Sequence, residues 1–353
     1  MSIQNVRNFG AVGDGTTDDS DEIIAAVNAC FPSGGAIKGG EVYLPAGSYL
    51  VSKTVLSSLI TVGGITTFRG SAITIKGDGP QATKLILNAP NTVPIFDIKG
   101  ANDGGGNFQL ASWFTLQDLT LDGQNNTIPQ WINFDHAVLA RIERVQIINT
   151  KGNAIKGLQL WDSVFRNVLI DNVGDFRTVS GVGTLYPAVQ LLSPVGDSSN
   201  NVKFEGVQFN NNQYISVDMG QDVHVIFFYG CSFKGNANTG YTNVRFTGTS
   251  LPSNSIAGSG SFIGCQFLNS GTSYHINATY AKGLVISNSS FEASYLNAIY
   301  FSNCDRCLVS DSNFYNSAGN VTNGSGTTGT DLNVKQVSST NITVQQNLGG
   351  LGA

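Results

Sequence analysis

Four aspartates fall in two short stretches of this chain: Asp122 and Asp135 in residues 122–137, and Asp171 and Asp175 in residues 171–187. Glycoside hydrolysis needs two carboxyl groups, about 5–5.5 Å apart when configuration is retained and about 6.5–9.5 Å when it is inverted. His136, Arg177, Tyr186, Lys151 and Lys156 lie in or near the same stretches and suit β-elimination instead. In that reaction a cation neutralises a uronate carboxylate while His, Tyr or Lys removes the C5 proton. Trp131 offers a flat ring on which a sugar can stack. Each residue also has a plainer reading. An Asp at a chain corner makes turns, His136 can hydrogen-bond locally, and Trp131 can pack its own segment onto the body of the protein.

What would position these groups is a repeat. An apolar–any–apolar motif ending in Asn, Asp or Gly recurs with its third position at Leu121, Ile147, Ile170, Phe209, Phe233, Phe267, Phe291 and Phe314. Successive third positions are 26, 23, 39, 24, 34, 24 and 23 residues apart. A unit that short, holding two or three strands parted by Asn/Gly turns, is one coil of a solenoid. Asn suits the corners because it tolerates left-handed backbone angles and can hydrogen-bond along a ladder of like residues. The third positions should stack inward, coil upon coil. The class is therefore all-β, a parallel β-helix forming one domain over 1–353. Residues 1–50 supply an N-terminal strand and capping helix, about 51–345 the rungs, and 346–353 a tail. The helix is expected over 17–31, with acidic residues at its positive end and Ile23, Ile24, Val27 and Phe31 as its apolar stripe.

This frame makes residues 122–137 and 171–187 two long corner loops, two rungs apart, with residues 149–153 turning tightly between them as the floor of a cleft. Asp122 and Asp171 then occupy equivalent corners, roughly 9–10 Å apart at about 4.8 Å per strand. A rival site lies on an outer face, where Gln117, Glu143, Arg166, Glu205 and Tyr229 fall in one column beside Arg141 and Lys203. Glu143 and Glu205 flank Arg166 there. Its plainer reading is a ladder of surface ion pairs.

Composition narrows the classes. In 353 residues, 41% are hydrophobic and only 12% charged, with 42 Gly and a net charge of −5. That is too apolar for disorder and gives no general attraction to nucleic acid. No run of eighteen apolar residues could span a bilayer. Met1 leads into strand-like sequence without a basic start or apolar segment, so no secretory signal peptide is expected. The five cysteines (Cys30, Cys231, Cys265, Cys304, Cys307) read as small buried hydrophobes, Cys304 and Cys307 included, with no metal and no cofactor implied. Gly13 and Gly15 precede no Gly-Lys-Ser/Thr, which leaves no nucleotide motif.

The segment Phe9-Gly-Ala-Val-Gly-Asp-Gly-Thr-Thr-Asp-Asp19, a helix, then Gly40-Glu-Val-Tyr-Leu-Pro-Ala-Gly-Ser-Tyr49 resembles the opening of the pectate-lyase-like superfamily. That superfamily includes phage tailspike depolymerases, polygalacturonases and mannuronan C5-epimerases. The resemblance implies a right-handed, single-stranded parallel β-helix acting on polysaccharide. It is closest in character to tailspikes, which further implies a homotrimer and a virion or extracellular setting. The catalytic signatures differ. Polygalacturonases carry Asn-Thr-Asp, Asp-Asp and Gly-His-Gly; here Asn149-Thr150-Lys151 stands at the corresponding corner and the other two are missing. Mannuronan epimerases carry Asp-Pro-His where this chain reads Gly152-Asn153-Ala154-Ile155. Three functions follow: a depolymerase (hydrolase or lyase), a non-catalytic glycan-binding or structural β-helix, and an epimerase-like uronan isomerase.

Overall fold

The computed structural model describes residues 2–31, 39–62, 65–68, 72–102, 108–179, 182–193, 198–220, 222–235, 241–248, 259–268, 274–292, 297–315, 334–345 and 348–349. Residues 1–173 and 174–353 form two compact units. Both are built from parallel β-helix coils.

In the first unit three inward columns define the coil. Val42, Ile75, Leu116, Ile142 and Phe165 face one another from strand to strand, and Tyr49, Leu85, Leu121, Ile147 and Ile170 form the second column. Leu56, Phe96, Ile132 and Ile155 form the third. All these residues are buried. Side chains alternate across a strand, so each inward column leaves an outward column one residue away. The second unit repeats the plan with Val217, Val244, Ile276, Ile299 and Val334, and with Phe204, Phe228 and Phe262. The predicted ring column closes it. Phe209, Phe233, Phe267, Phe291 and Phe314 stack face to face with centroids 4.8, 4.7, 4.6 and 4.9 Å apart. That spacing matches the strand-to-strand distance of a sheet, so the rings inherit their separation from the backbone.

Both ends depart from expectation. The helix occupies Ser20–Ala29, and its buried side is Ile23, Ala26, Val27 and then Cys30; Ile24 and Phe31 are only half-buried. Asp19 precedes this helix without capping it. Its buried carboxylate accepts the Val12 and Gly13 N–H groups at 2.6 and 3.1 Å, and burial pushes its pKa up. Gly13 sits at φ 64°, where a Cβ would lie 2.8 Å from the Tyr49 ring. The glycine-rich opening is thus a packing device around Tyr49, whose hydroxyl donates to the Pro45 carbonyl. At the other end, Leu348–Gly349 pairs with Asn313 and Phe314, so part of the expected 346–353 tail continues the ladder. The five cysteines are buried and unbonded to one another, and burial lifts the Cys30 thiol to about 11.

One buried titratable group escaped the sequence reading. His275 is fully enclosed, with Nδ1 2.7 Å from Asn243 Nδ2 and Nε2 3.1 Å from the Glu292 carbonyl. The neutral tautomer satisfies both contacts: Nε2–H donates to Glu292 and Nδ1 accepts from Asn243. Burial lowers its pKa from 6.5 to about 3. The folded chain therefore refuses a proton that the unfolded chain accepts, and stability is lost as pH falls below 6.5. Each pH unit in that window costs about 1.4 kcal/mol. His275→Gln is expected to unfold with a flatter pH dependence than the parent between pH 6.5 and 5.5. Parallel denaturation curves for the two would show that His275 is not the titrating group.

Candidate functional site

The third column of the first unit places a polar face on its outer side. In Phe96–Lys99, Phe96 and Ile98 point inward, so Asp97 and Lys99 point outward. The register sets Asp97 opposite Asn133 and Lys99 opposite Asp135, and Asn133 in turn opposite Lys156. Asn133 Nδ2 donates to Asp97 Oδ1 at 2.7 Å, and Lys99 Nζ lies 3.1 Å from Asp97 Oδ2. Beside them His136 Nδ1 and Asp135 Oδ1 are 2.6 Å apart, with side chains 16% and 32% exposed. His136 takes φ 54°, which turns the chain at the end of this face. A carboxylate on one ring nitrogen fixes the tautomer and orientation of the imidazole. Acid–base groups and two lysines thus share one solvent-facing surface across three adjacent strands.

Of the predicted residues, Asp135, His136 and Lys156 belong to this face. Two parts of the predicted cleft do not hold. Residues 122–137 are no long loop: only a turn at 123–126 separates Thr115–Asp122 from the strand Thr127–Val138. The apolar residues Ile128, Trp131, Ile132 and Phe134 are all buried there, which draws the segment into the coil. Trp131 is therefore no open stacking surface. Its indole is enclosed, with Nε1–H donating to Thr150 Oγ1 at 2.8 Å.

Asp122 and Asp171 do occupy equivalent positions two strands apart, each registered with Ile148. Asp122 is nearly buried and works as a turn residue. It accepts the Gln124 backbone N–H at 3.0 Å, the Gln124 amide at 2.8 Å and Asn149 Nδ2 at 3.3 Å. Next to it Asn125, Asn149 and Asn172 form the expected corner ladder at φ 58°, 52° and 55°, with Asn172 Nδ2 donating to both of the others. Asp122→Asn is expected to change any turnover less than twofold, since Asn makes similar turns. A loss of a hundredfold with unchanged melting would assign Asp122 to the chemistry. Lys151 is exposed and registered with Thr127, away from the Asp135 end of the strand.

Of residues 171–187, 171–173 stay in a coil strand of the first unit, while Asp175–Val179 and Val182–Tyr186 form an antiparallel hairpin in the second. Asp175 lies opposite Tyr186, and the Asp175 carboxylate accepts the Phe176 N–H at 2.8 Å. Arg177 lies opposite Thr184, and its side chain falls outside the described residues. The rival column is an ion-pair ladder. Gln117, Glu143 and Arg166 are in register, Arg166 Nη1 is 3.5 Å from Glu143 Oε1, and Arg144 binds Asp118 through two contacts of 2.6 and 2.9 Å. Such exposed pairs contribute about 0–1 kcal/mol each. Glu205 lies opposite Tyr229 in the second unit.

Asp97, Lys99 and Asn133 were not singled out from sequence. The signal was present in Phe96-Asp-Ile-Lys99, a strict alternation of apolar and charged residues. It precedes the first copy of the repeat motif at Leu121, so the motif alignment did not reach it.

Comparison with known proteins agrees with this fold. The A-module of the Azotobacter vinelandii mannuronan C-5 epimerase AlgE4 superposes with a TM-score of 0.55 at 16% identity, covering 100% of this chain and 98% of that one. ORF18 of Geobacillus virus E2 gives a TM-score of 0.51 at 17% identity over 99% of this chain and 62% of that one. In sequence, mannuronan C5-epimerase AlgE1 of A. vinelandii is 34% identical over 136 residues, which is 37% of this chain and 9% of that protein. Alginate lyase 7 of the same organism is 36% identical over 124 residues, 35% of this chain and 13% of the lyase. A capsule KN3-specific depolymerase of Klebsiella phage KN3-1 is 27% identical over 173 residues, 47% and 20% respectively. The chain thus matches a fifth or less of the length of these relatives. No protein-family model matches it. The class is that of the parallel β-helix proteins, and the resemblance to epimerase, lyase and phage depolymerase holds.

Proposed function

We propose that this protein is an enzyme acting on an acidic polysaccharide, and that it removes the C5 proton of a uronate residue on the outer face around Asp135 and His136. The observation that carries the reading is the 2.6 Å Asp135–His136 contact on a face that also presents Lys99 and Lys156. A lysine neutralises the uronate carboxylate, which lowers the cost of placing negative charge next to it. His136, oriented by Asp135, takes the proton. In elimination the C5–H electron pair forms the C4–C5 double bond while the bond to the O4 leaving group breaks, and that oxygen takes up a proton. In epimerisation the same carbanion is reprotonated from the opposite face and no bond in the chain is lost. Similarity to both an epimerase and a lyase supports this shared first step.

A hydrolytic reading is favoured by a different observation. Asp97 and Asp135 stand on adjacent strands, two residues out of register, which gives two carboxyls on one face. The capsule depolymerase likeness supports it. Incubation with alginate and with capsular polysaccharides separates the outcomes. Reducing ends together with an ultraviolet-absorbing unsaturated uronate support elimination, and a changed uronate NMR spectrum at constant chain length supports epimerisation. Reducing ends alone support hydrolysis. Binding without any of these overturns the enzymatic reading in favour of a glycan-binding β-helix. A homotrimer in a virion or extracellular setting belongs to the same proposal, and light scattering at the 37.3 kDa monomer mass would reject the trimer.

A further inference from the structure

The second unit carries an outward row with a composition unlike its other faces. Along Val189–Leu192, Ile215–Met219, Thr242–Thr247, Ile276–Thr279, Ile299–Ser302 and Val334–Val337 the register runs Gln190, Asp218, Arg245, Asn277, Tyr300, Lys335. Their neighbours along each strand are the buried column, which turns this row outward, although Asp218 itself is only 7% exposed. Asp218 and Arg245 form a two-pronged pair at 2.8 and 2.9 Å. Tyr300 stacks on Tyr274 with centroids 4.8 Å apart and 22° between planes, and Lys335 Nζ sits 5.8 Å from the centre of the Tyr300 ring. Two residues further along the strands, Thr247, Thr279 and Ser302 form a parallel band of hydroxyls.

The neighbouring outward face differs. Phe227, Tyr229, Ile263, Val285 and Leu308 alternate there with Lys203, Glu205, Ser261 and Ser287, with Tyr229 and Ile263 37% and 36% exposed. We propose that the Asp218–Arg245–Asn277–Tyr300–Lys335 row is a binding surface for an extended acidic polysaccharide strand. A sugar chain presents alternating hydroxyl-rich edges and apolar C–H faces, with a carboxylate on each uronate. The row answers each in turn. Asn277 and the hydroxyl band exchange hydrogen bonds with sugar hydroxyls. The Tyr274–Tyr300 pair is a rigid aromatic edge, stiffened by its own stacking, against which the apolar C–H side of a sugar can pack. Arg245, held in a fixed orientation by Asp218, and Lys335, resting on an aromatic ring, are preset cations for carboxylates.

The inference rests on the polysaccharide reading and is tested apart from it. Binding of sodium alginate is measured by calorimetry in a His136→Asn background, so that turnover does not consume the probe. Tyr300→Ala and Lys335→Gln are each expected to weaken binding about tenfold, or about 1.4 kcal/mol, while Tyr300→Phe stays at the parent level. Lys335→Gln is further expected to flatten the salt dependence. Parent-level binding by both Tyr300→Ala and Lys335→Gln, each with a native melting curve, overturns the row and leaves the Asp135–His136 reading standing. Failure of the parent background to bind alginate overturns both.

Discussion

His136→Asn is expected to lower turnover of the active polysaccharide about 10²–10⁴-fold, the usual contribution of a positioned acid or base. The substitution is chosen for its backbone. His136 lies at φ 54°, in the left-handed region that Asn adopts readily, so the turn at the end of the strand persists. The side chain is only 16% exposed and Asn is smaller, so the fold should hold while the basic nitrogen disappears. Asp135→Asn is a different experiment. It keeps shape and removes the charge that orients His136, so kcat should fall about tenfold to a thousandfold with little change in KM. Full activity in His136→Asn with unchanged melting would remove this face from the chemistry. Loss in Asp97→Asn and Asp135→Asn but not in His136→Asn would select hydrolysis by two carboxyls.

Phe267→Ala is expected to destabilise the fold by about 3–5 kcal/mol, lost burial plus the cavity left behind. The position is severe for a geometric reason. Phe267 sits between Phe233 at 4.7 Å and Phe291 at 4.6 Å, within 3° of parallel to each, and touches the ring of buried His275 at 5.9 Å. Backbone ladders on both sides hold the neighbouring rings at strand spacing, so they cannot close over the gap. Phe314→Ala, where the stack is flanked by Phe291 alone at 4.9 Å, should cost less. Equal melting of parent and Phe267→Ala by denaturant titration would contradict the ring column. Solenoids couple mainly neighbouring repeats, so broadening of the transition in Phe267→Ala, from weakened cooperation across that coil, is expected as well.

What the amino-acid sequence determined by itself was everything that recurs with the coil. A period of 23–24 residues with Phe or an aliphatic at a constant place specifies an inward column wherever it occurs, because strand alternation is local and the coil must bury that side. Hence the ring stack, the asparagine corners at Asn149 and Asn172, and the burial of all five cysteines were legible in advance, whereas the place of Asn125 in that ladder was not. Tertiary structure alone decided which polar residues meet. Whether residues 127–138 loop out or enter the coil depends on whether a neighbouring strand is there to pair with them. Phe96–Lys99 supplies one edge and Arg141–Trp161 the other, and together they bury Trp131 and turn Asp135 outward. Asp97 reaches Asn133 across 36 residues, a longer step than the 23–24-residue period, because of the extra residues between the two strands. An outward residue has no partner in its own repeat to demand it. Its neighbours follow from inter-strand register, and register is the sum of every turn and insertion between the two strands.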